Sequence, residues 1–412
     1  MNIITTRSGR HRAAPVLAVA VGFGMFGSVF AAQGAPRIAN GDVTRGWRVF
    51  NQKQCIDCHA IWGQGGNVAP DLGRIRQGRP TRGELAGIMW NHIPRMLARM
   101  KQAGQPPVRM TPDEMADVFA LINFARQLDE PGDPAQGEKI LRTKGCTQCH
   151  SIDMVGGTVG PDLAKWGSYA NPIIWAQRMW EHAPMMEETM QRSEIQWPKL
   201  EGSDLVHIVA YVRSAGLTGK KTYLRPGSVE RGRPLFSEKR CNTCHPGEGP
   251  DLAAVSLPDS QAALASRMWN HSPEMTRVMR EKAVERQPLT PQELADILSY
   301  ILMLQRQDRD ADPVRGRVVF AKKGCTQCHE GDGVGPAMAK LGEAAAPAKM
   351  AAAMWNHGES MLDRMTEAGM TWPVFNEHEM VDLLAYLRAQ GADGQGNPDQ
   401  PADRENAAAK EP

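Results

Sequence analysis

The chain has 412 residues, enough for two to four domains, with 42% hydrophobic and 23% charged residues. That balance excludes a polytopic membrane protein and wholesale disorder. A net charge of +2 excludes a nucleic-acid binder driven by bulk positive charge. From the N-terminus, Arg7, Arg10 and Arg12 precede an uncharged run, Ala13 to Phe30, and Val29 and Ala31 suit the −3 and −1 positions of a cleavage site. This is the layout of a secretory signal peptide, residues 1–31. An uncleaved anchor is the competing reading, although Pro15, Gly22, Gly24 and Gly27 interrupt the run. Either way the rest of the chain is expected to be exported.

The remainder is one unit written four times. The 8 Cys sort without remainder into four C-x-x-C-H motifs: Cys55–Cys58–His59, Cys146–Cys149–His150, Cys241–Cys244–His245 and Cys325–Cys328–His329. First-Cys spacings of 91, 95 and 84 residues suit a small domain per copy. In chain order each copy opens with a helical stretch, Arg315 to Lys323 being the clearest. A Gly stands nine residues before the first Cys (Gly46, Gly137, Gly232, Gly316). A Gly-rich loop then ends in Ala69-Pro70-Asp71-Leu72, Gly160-Pro161-Asp162-Leu163, Gly249-Pro250-Asp251-Leu252 or Gly335-Pro336-Ala337-Met338. It is longer in the first two copies, and the fourth departs at Ala337-Met338.

Next comes Met-Trp-x-His: Met89 to His92, Met179 to His182, Met268 to His271, Met354 to His357. Each copy closes with an amphipathic helix, announced by capping boxes at Thr111–Glu114 and Thr290–Glu293 and by Asn376 with Glu379. Apolar residues follow at helical spacing, for example Leu294, Ile297, Leu298 and Ile301. No sustained period-2 alternation appears, so the expected fold is all-α with long loops. The expected modules are 36–131, 133–218, 226–307 and 312–390, with short Pro-containing linkers and a disordered polar tail, 391–412.

Paired cysteines can mean disulfides, zinc, thiol redox catalysis or haem. Each unit offers too few ligands for structural zinc and lacks the strands of a thioredoxin-like site. Covalent haem needs this arrangement: two thiols at fixed spacing take the porphyrin vinyl groups, and the adjacent His is delivered to the iron. Four haems c per chain are therefore expected, on Cys55, Cys58, Cys146, Cys149, Cys241, Cys244, Cys325 and Cys328.

Over residues 41–390 the sequence resembles multidomain c-type cytochromes built of tandem monohaem modules. The resemblance implies a helical domain around each haem and His59, His150, His245 and His329 as proximal ligands. It also implies the carbonyls of Pro70, Pro161, Pro250 and Pro336 as acceptors from those rings. The sixth ligand is open among three positions on one helical face. They are the His of Met-Trp-x-His, the Met four residues on (Met96, Met186, Met275, Met361) and the Met eight residues on (Met100, Met190, Met279, Met365). The cytochrome pattern apolar-x-x-Gly-x-x-x-Met falls on the first Met set, and Pro94, Pro184 and Pro273 are expected to break the helix beside it. The Trp is expected on the haem edge, its N–H free for a propionate. His207 and His378 lie outside the repeat and read as ordinary histidines.

The implied function is electron relay, not enzymatic, between donor and acceptor redox proteins in the periplasm or an equivalent exported compartment. Membrane association is expected only if the N-terminal segment is retained. Consecutive haems are expected close enough for hopping in chain order. The alternative is a multihaem oxidoreductase with one open-site haem, of peroxidase or thiosulfate type. It would require a degraded ligand segment in one copy, whereas all four copies keep His, Met and Met.

Overall fold

A computed structural model describes residues 41–393 apart from 76–77, 79, 217–220, 246–248, 331–332 and 377. The signal-peptide segment and residues 394–412 of the expected tail lie outside the described residues. Copy 1 contains α1 (Val43–Gln52), β1 (Ala60–Ile61), β2 (Gln64–Gly65), α2 (Arg82–Gln102) and α3 (Pro112–Ala125). Copy 2 contains α4 (Pro134–Thr143), β3 (Ser151–Ile152), β4 (Val155–Gly156), α5 (Pro172–Arg192) and α6 (Asp204–Ala215). Copy 3 has α7 (Val229–Glu238), α8 (Gln261–Glu281) and α9 (Pro291–Leu304). Copy 4 has α10 (Pro313–Lys322), α11 (Thr326–His329), α12 (Met338–Glu343), α13 (Pro347–Glu367) and α14 (Glu379–Asp393). The fold is all-α, and α14 runs three residues into the segment assigned to the tail. Among the described residues no helix is long and apolar enough to cross a membrane.

The closing helices start where their caps place them, with reciprocal Thr–Glu boxes at α3 and α9. A third box, Thr81 with Glu84, starts α2. Each entry helix crosses its closing helix at the repeated Gly. A Cβ there would lie 2.1 Å from the Asp117 carbonyl oxygen at Gly46, and 2.0 Å from those of His207, Asp296 and Asp382 at Gly137, Gly232 and Gly316. Backbone carbonyls cannot withdraw without moving a helix. Gly232→Ala is therefore expected to cost ~1–3 kcal/mol in denaturant unfolding.

A second anchor sits at the same crossing. Asp117, Asp296 and Asp382 accept from the backbone N–H of Asp42, Ser228 and Asp312 and pair with Arg45, Arg231 and Arg315. In copy 2 the carboxylate is replaced by His207, whose Nδ1 accepts from Asp133 N at 2.8 Å, and the arginine by Gln136. His207 is thus part of the repeat. His378 lies 3.7 Å from Glu84 of copy 1. Burial works upward on the Asp382 carboxyl but is outweighed by the Arg315 hydrogen bond and the Asp312 N–H, so its pKa is lowered. A carboxylate lowered in the folded state stabilises above its unfolded pKa, ~3.9, and loses that contribution as pH falls through the folded value. Asp382→Asn is expected to flatten the acid limb of a stability-versus-pH curve.

Copies 1 and 2 add a two-residue hairpin. Its loop residues have positive φ, 54° and 76° at Trp62-Gly63 and 49° and 65° at Asp153-Met154, as a tightly twisted hairpin turn requires. The Asp after the repeated Pro fixes it. Asp71 accepts from the amides of Trp62, Gly63 and Gly73, and Asp162 from those of Asp153, Met154 and Ala164. Copies 3 and 4 have no such hairpin among their described residues; copy 3 keeps Asp251, which accepts from Ala253 N, whereas copy 4 has Ala337. Strands of two residues are too short to leave an alternation in the sequence.

The copies do not pack in chain order. Among the described residues one core joins copies 1 and 4, with Leu85, Ile93 and Met115 beside Met350, Trp355 and Leu384. The other joins copies 2 and 3, with Trp175, Leu205 and Val212 beside Leu264, Trp269 and Leu298. The central contacts are α2 with α13 and α5 with α8. Where Ile93 is fully buried the partner is Gly358, whose Cβ would come 2.6 Å from Ile93. The counterparts in the second pair are Ala183 and Ser272, both buried.

The helix prolines explain this choice of partners. Proline withholds the N–H that the carbonyl four residues back would accept. Pro94, Pro184 and Pro273 thereby free the carbonyls of Trp90, Trp180 and Trp269. Each is taken by a side chain of the paired copy: Trp372 Nε1 at 3.2 Å, Arg286 Nη1 at 3.2 Å and Trp197 Nε1 at 3.1 Å. Copy 4 has Glu359 instead of proline, and the matching position of copy 1 is Pro107, which has no donor. The helices continue through all three prolines, so the expected helix break beside the sixth-ligand candidates does not occur.

Candidate haem-binding sites

The four C-x-x-C-H segments share one geometry. The residue before the first Cys is left-handed in each, Gln54, Gly145, Arg240 and Gly324 at φ 59°, 75°, 61° and 77°, which ends the entry helix and turns the chain. The His backbone N–H then donates to the carbonyl of the first Cys at 3.0 Å in every copy. The loop returns so that Ala69, Gly160, Gly249 and Gly335 donate their N–H to the carbonyl of the second Cys, at 2.8–3.0 Å. The following proline carbonyl meets the His ring: Nδ1 lies 3.0 Å from Pro70 O, 2.9 Å from Pro161 O, 2.9 Å from Pro250 O and 3.3 Å from Pro336 O.

A carbonyl only accepts, so Nδ1 carries the proton and Nε2 keeps a lone pair. That tautomer is the one a metal-ligating His needs, and the bond fixes the ring. The glycines before the prolines make room for it: a Cβ at Gly160 or Gly335 would come 2.4 Å from the ring of His150 or His329. Burial pushes the first thiols, Cys55, Cys146, Cys241 and Cys325, up to about 11.

In copies 2 and 4 the motif opens on a cleft, of about 230 Å3 in copy 2 and about 290 Å3 in copy 4. Cleft 2 is lined by Cys146, Cys149 and His150 of the motif and by His182, Met186 and Met190 of α5, with apolar walls. Cleft 4 repeats this with Cys325, Cys328 and His329 and, from α13, His357, Met361 and Met365. The residues fit a haem: two thiols, an imidazole lone pair and axial candidates line one largely apolar cleft. All three sixth-ligand positions reach the cleft. Met96, Met186, Met275 and Met361 are half-buried, and His92, His271 and His357 are exposed. His92, His182 and His271 direct Nδ1 to their own helix, onto the carbonyls of Ile88, Arg178 and Arg267.

In three copies the indole N–H of Met-Trp-x-His is committed to the paired copy rather than free for a propionate. Trp90 donates Nε1–H to Pro373 O, Trp269 to Pro198 O and Trp355 to Val108 O, each across the pair interface at 2.6–2.7 Å. The next residue seals the exchange, Asn91 with Phe375, Asn270 with Leu200 and Asn356 with Met110 through two bonds each. Copy 2 has Glu181 there. Its Trp180 Nε1 is buried without a hydrogen-bond partner, and Arg286 lies 3.8 Å over its ring. Trp90 lines cleft 4 and Trp269 lines cleft 2, so each cleft is walled partly by another copy.

One repeated residue escaped the sequence reading. Lys53, Lys144, Lys239 and Lys323 each stand two residues before the first Cys. Each binds an acid in the first turn of the closing helix, Glu114, Asp204, Glu293 or Glu379, at 2.7–3.1 Å. Each also donates to a carbonyl of the loop before that helix, at 2.6–2.9 Å. They tie the C-x-x-C-H turn to the far side of the cleft, and their fixed spacing from Cys was the available signal.

Residues 43–125 and 313–390 match the family model described as Cytochrome c. These segments are copies 1 and 4, which share a core. No curated protein and no solved structure matches the chain. The cytochrome c match supports covalent haem and a haem-based electron-transfer role.

Proposed function

We propose that this chain is an exported tetrahaem c-type cytochrome that relays electrons between redox proteins and turns over no substrate of its own. The observation that carries this is the fourfold one: in every copy the His beside the Cys pair donates an Nδ1–H hydrogen bond to a proline carbonyl and leaves Nε2 available for iron. The bound haem supplies one-electron redox chemistry. The chain's part is to hold each ring by two thioether bonds, fix the proximal imidazole and cover one face with a Met-rich helix. Compartment and export rest on the residue 1–31 pattern. Mass spectrometry of the denatured mature protein is expected to show four covalent haems. Saturable turnover of peroxide, thiosulfate or nitrite with a high-spin signal would instead mean an enzyme.

For the sixth ligand we propose Met96, Met186, Met275 and Met361, half-buried and, in copies 2 and 4, lining the same cleft as the proximal His. His/Met ligation raises potential relative to two His ligands, and the ferric protein is expected to show the weak thioether band at the red end of the spectrum. Met275→Ala is expected to remove one quarter of that band. Loss on Met279→Ala alone would move the ligand one turn on, and absence of the band with low potentials would make it His271 and its counterparts.

A further inference from the structure

Copies 2 and 3 meet where α5 packs on α8. Met179 borders cleft 2 and also a small cavity of about 10 Å3, room for about one water, between α5 and α8. Met268, its counterpart in copy 3, borders the same cavity, together with Trp180 and Trp269. Trp269 also lines cleft 2, so a side chain of copy 3 forms part of the wall of copy 2's site. The other pair is built alike: Trp90 of copy 1 lines cleft 4, and Trp355 of copy 4 reaches back to copy 1 at Val108. Copies adjacent in the chain but outside these pairs, 1 with 2 and 3 with 4, fall in separate cores.

Resting on the haem reading above, we propose that the four sites are coupled in nested pairs, 2 with 3 and 1 with 4, through these shared side-chain walls rather than in chain order. Electronic coupling falls steeply with separation and is carried better by packed atoms than by a gap. Trp90 and Trp269 are held in the wall by hydrogen bonds on both sides of the interface, so they are positioning residues for the transfer. A transfer within a pair moves one electron from a ferrous to a ferric site, with no bond made or broken and no proton taken up.

The test uses the full-length holoprotein and the paired, bisignate circular dichroism that closely spaced haems give in the Soret region. Haem load is measured first by mass spectrometry. Single-haem deletions are then made, Cys55→Ala with Cys58→Ala, and the matching change in each other copy. Nested pairing is expected to cost half of the bisignate amplitude in all four deletions. Chain-order coupling would cost a third for the end copies and two thirds for the inner ones, and that pattern would overturn the proposal. Because a deletion can unfold its module, pulsed dipolar electron paramagnetic resonance on the intact ferric protein gives a second measurement. Two short iron–iron separations are expected, and three would overturn the pairing. Fewer than four haems in the intact protein would overturn the haem reading itself, whereas four haems with the chain-order pattern would overturn only the pairing.

Discussion

Replacing Cys325 and Cys328 by Ala is expected to remove one haem and to unfold two copies, the fourth and the first, while the second and third keep their structure. The sequence alone points to loss of the fourth module only. The shared core changes that expectation. Cleft 4, about 290 Å3, is lined by Trp90 of copy 1 as well as by Phe320, Leu341, Met350, Leu383 and Leu387. Without a bound ring these apolar walls face water, and hydrophobic burial at ~25 cal/mol per Å2 is lost over all of them. Trp90 carries the hydrogen bond to Pro373 and the stack on Trp372, at 4.3 Å between ring centroids. Its displacement reaches Ile93 and Leu97 on the same helix, both buried in the joint core. Hydrogen exchange followed by mass spectrometry is the measurement. Protection is expected to fall in α2 and α13 together and to persist in α5 and α8. Loss confined to residues 313–390 would mean that the shared core contributes little.

How much of this was legible in the sequence depends on the range of the interaction. Local features were readable. The closing helices follow from Thr111 and Thr290 with their Glu partners, and the all-α class follows from the 3.6-residue periodicity that those caps begin. The C-x-x-C-H motifs carry their chemistry in four adjacent positions, and the His–Pro hydrogen bond implied by the resemblance is present in every copy. What could not be read was pairing between distant copies. Pro94 and Trp372 are nearly three hundred residues apart, and only the fold shows that the second occupies the carbonyl freed by the first. Read locally, Pro94 is a helix breaker; held in a pair, it is a helix residue with a replaced hydrogen bond. In three copies the indole N–H looks free for the same reason: its acceptor, Pro373 for Trp90, belongs to another copy. The Lys two residues before each first Cys was visible as a repeat, but its acidic partner lies beyond the cleft. The departure of copy 2 at Glu181 became meaningful only beside Arg286 and the unpartnered Trp180 N–H.

Trp269→Ala is expected to destabilise the protein by ~3–5 kcal/mol, the cost of truncating a buried indole. Three interactions are lost together. The ring stacks on Trp197 of copy 2 at 4.0 Å between centroids, its N–H donates to Pro198 O at 2.7 Å, and the ring walls cleft 2. Trp269→Phe keeps most of the apolar bulk and removes the donor, leaving the half-buried Pro198 carbonyl without its partner, so its expected cost is ~1 kcal/mol. The reciprocal bond, Trp197 Nε1 to the carbonyl of Trp269 freed by Pro273, is a backbone acceptor and survives both changes only if the helix stays in register. Trp197→Ala and the double variant complete a cycle. Residues in direct contact couple by ~0.5–3 kcal/mol, so the double variant is expected to cost less than the sum of the singles. The site readout separates this from general loosening. A change in copy 3 should perturb the spectrum of the haem held by Cys146 and Cys149 in copy 2. Additive stabilities, or a perturbation confined to the haem on Cys241 and Cys244, would mean that each copy builds its own site and that the interface only joins them.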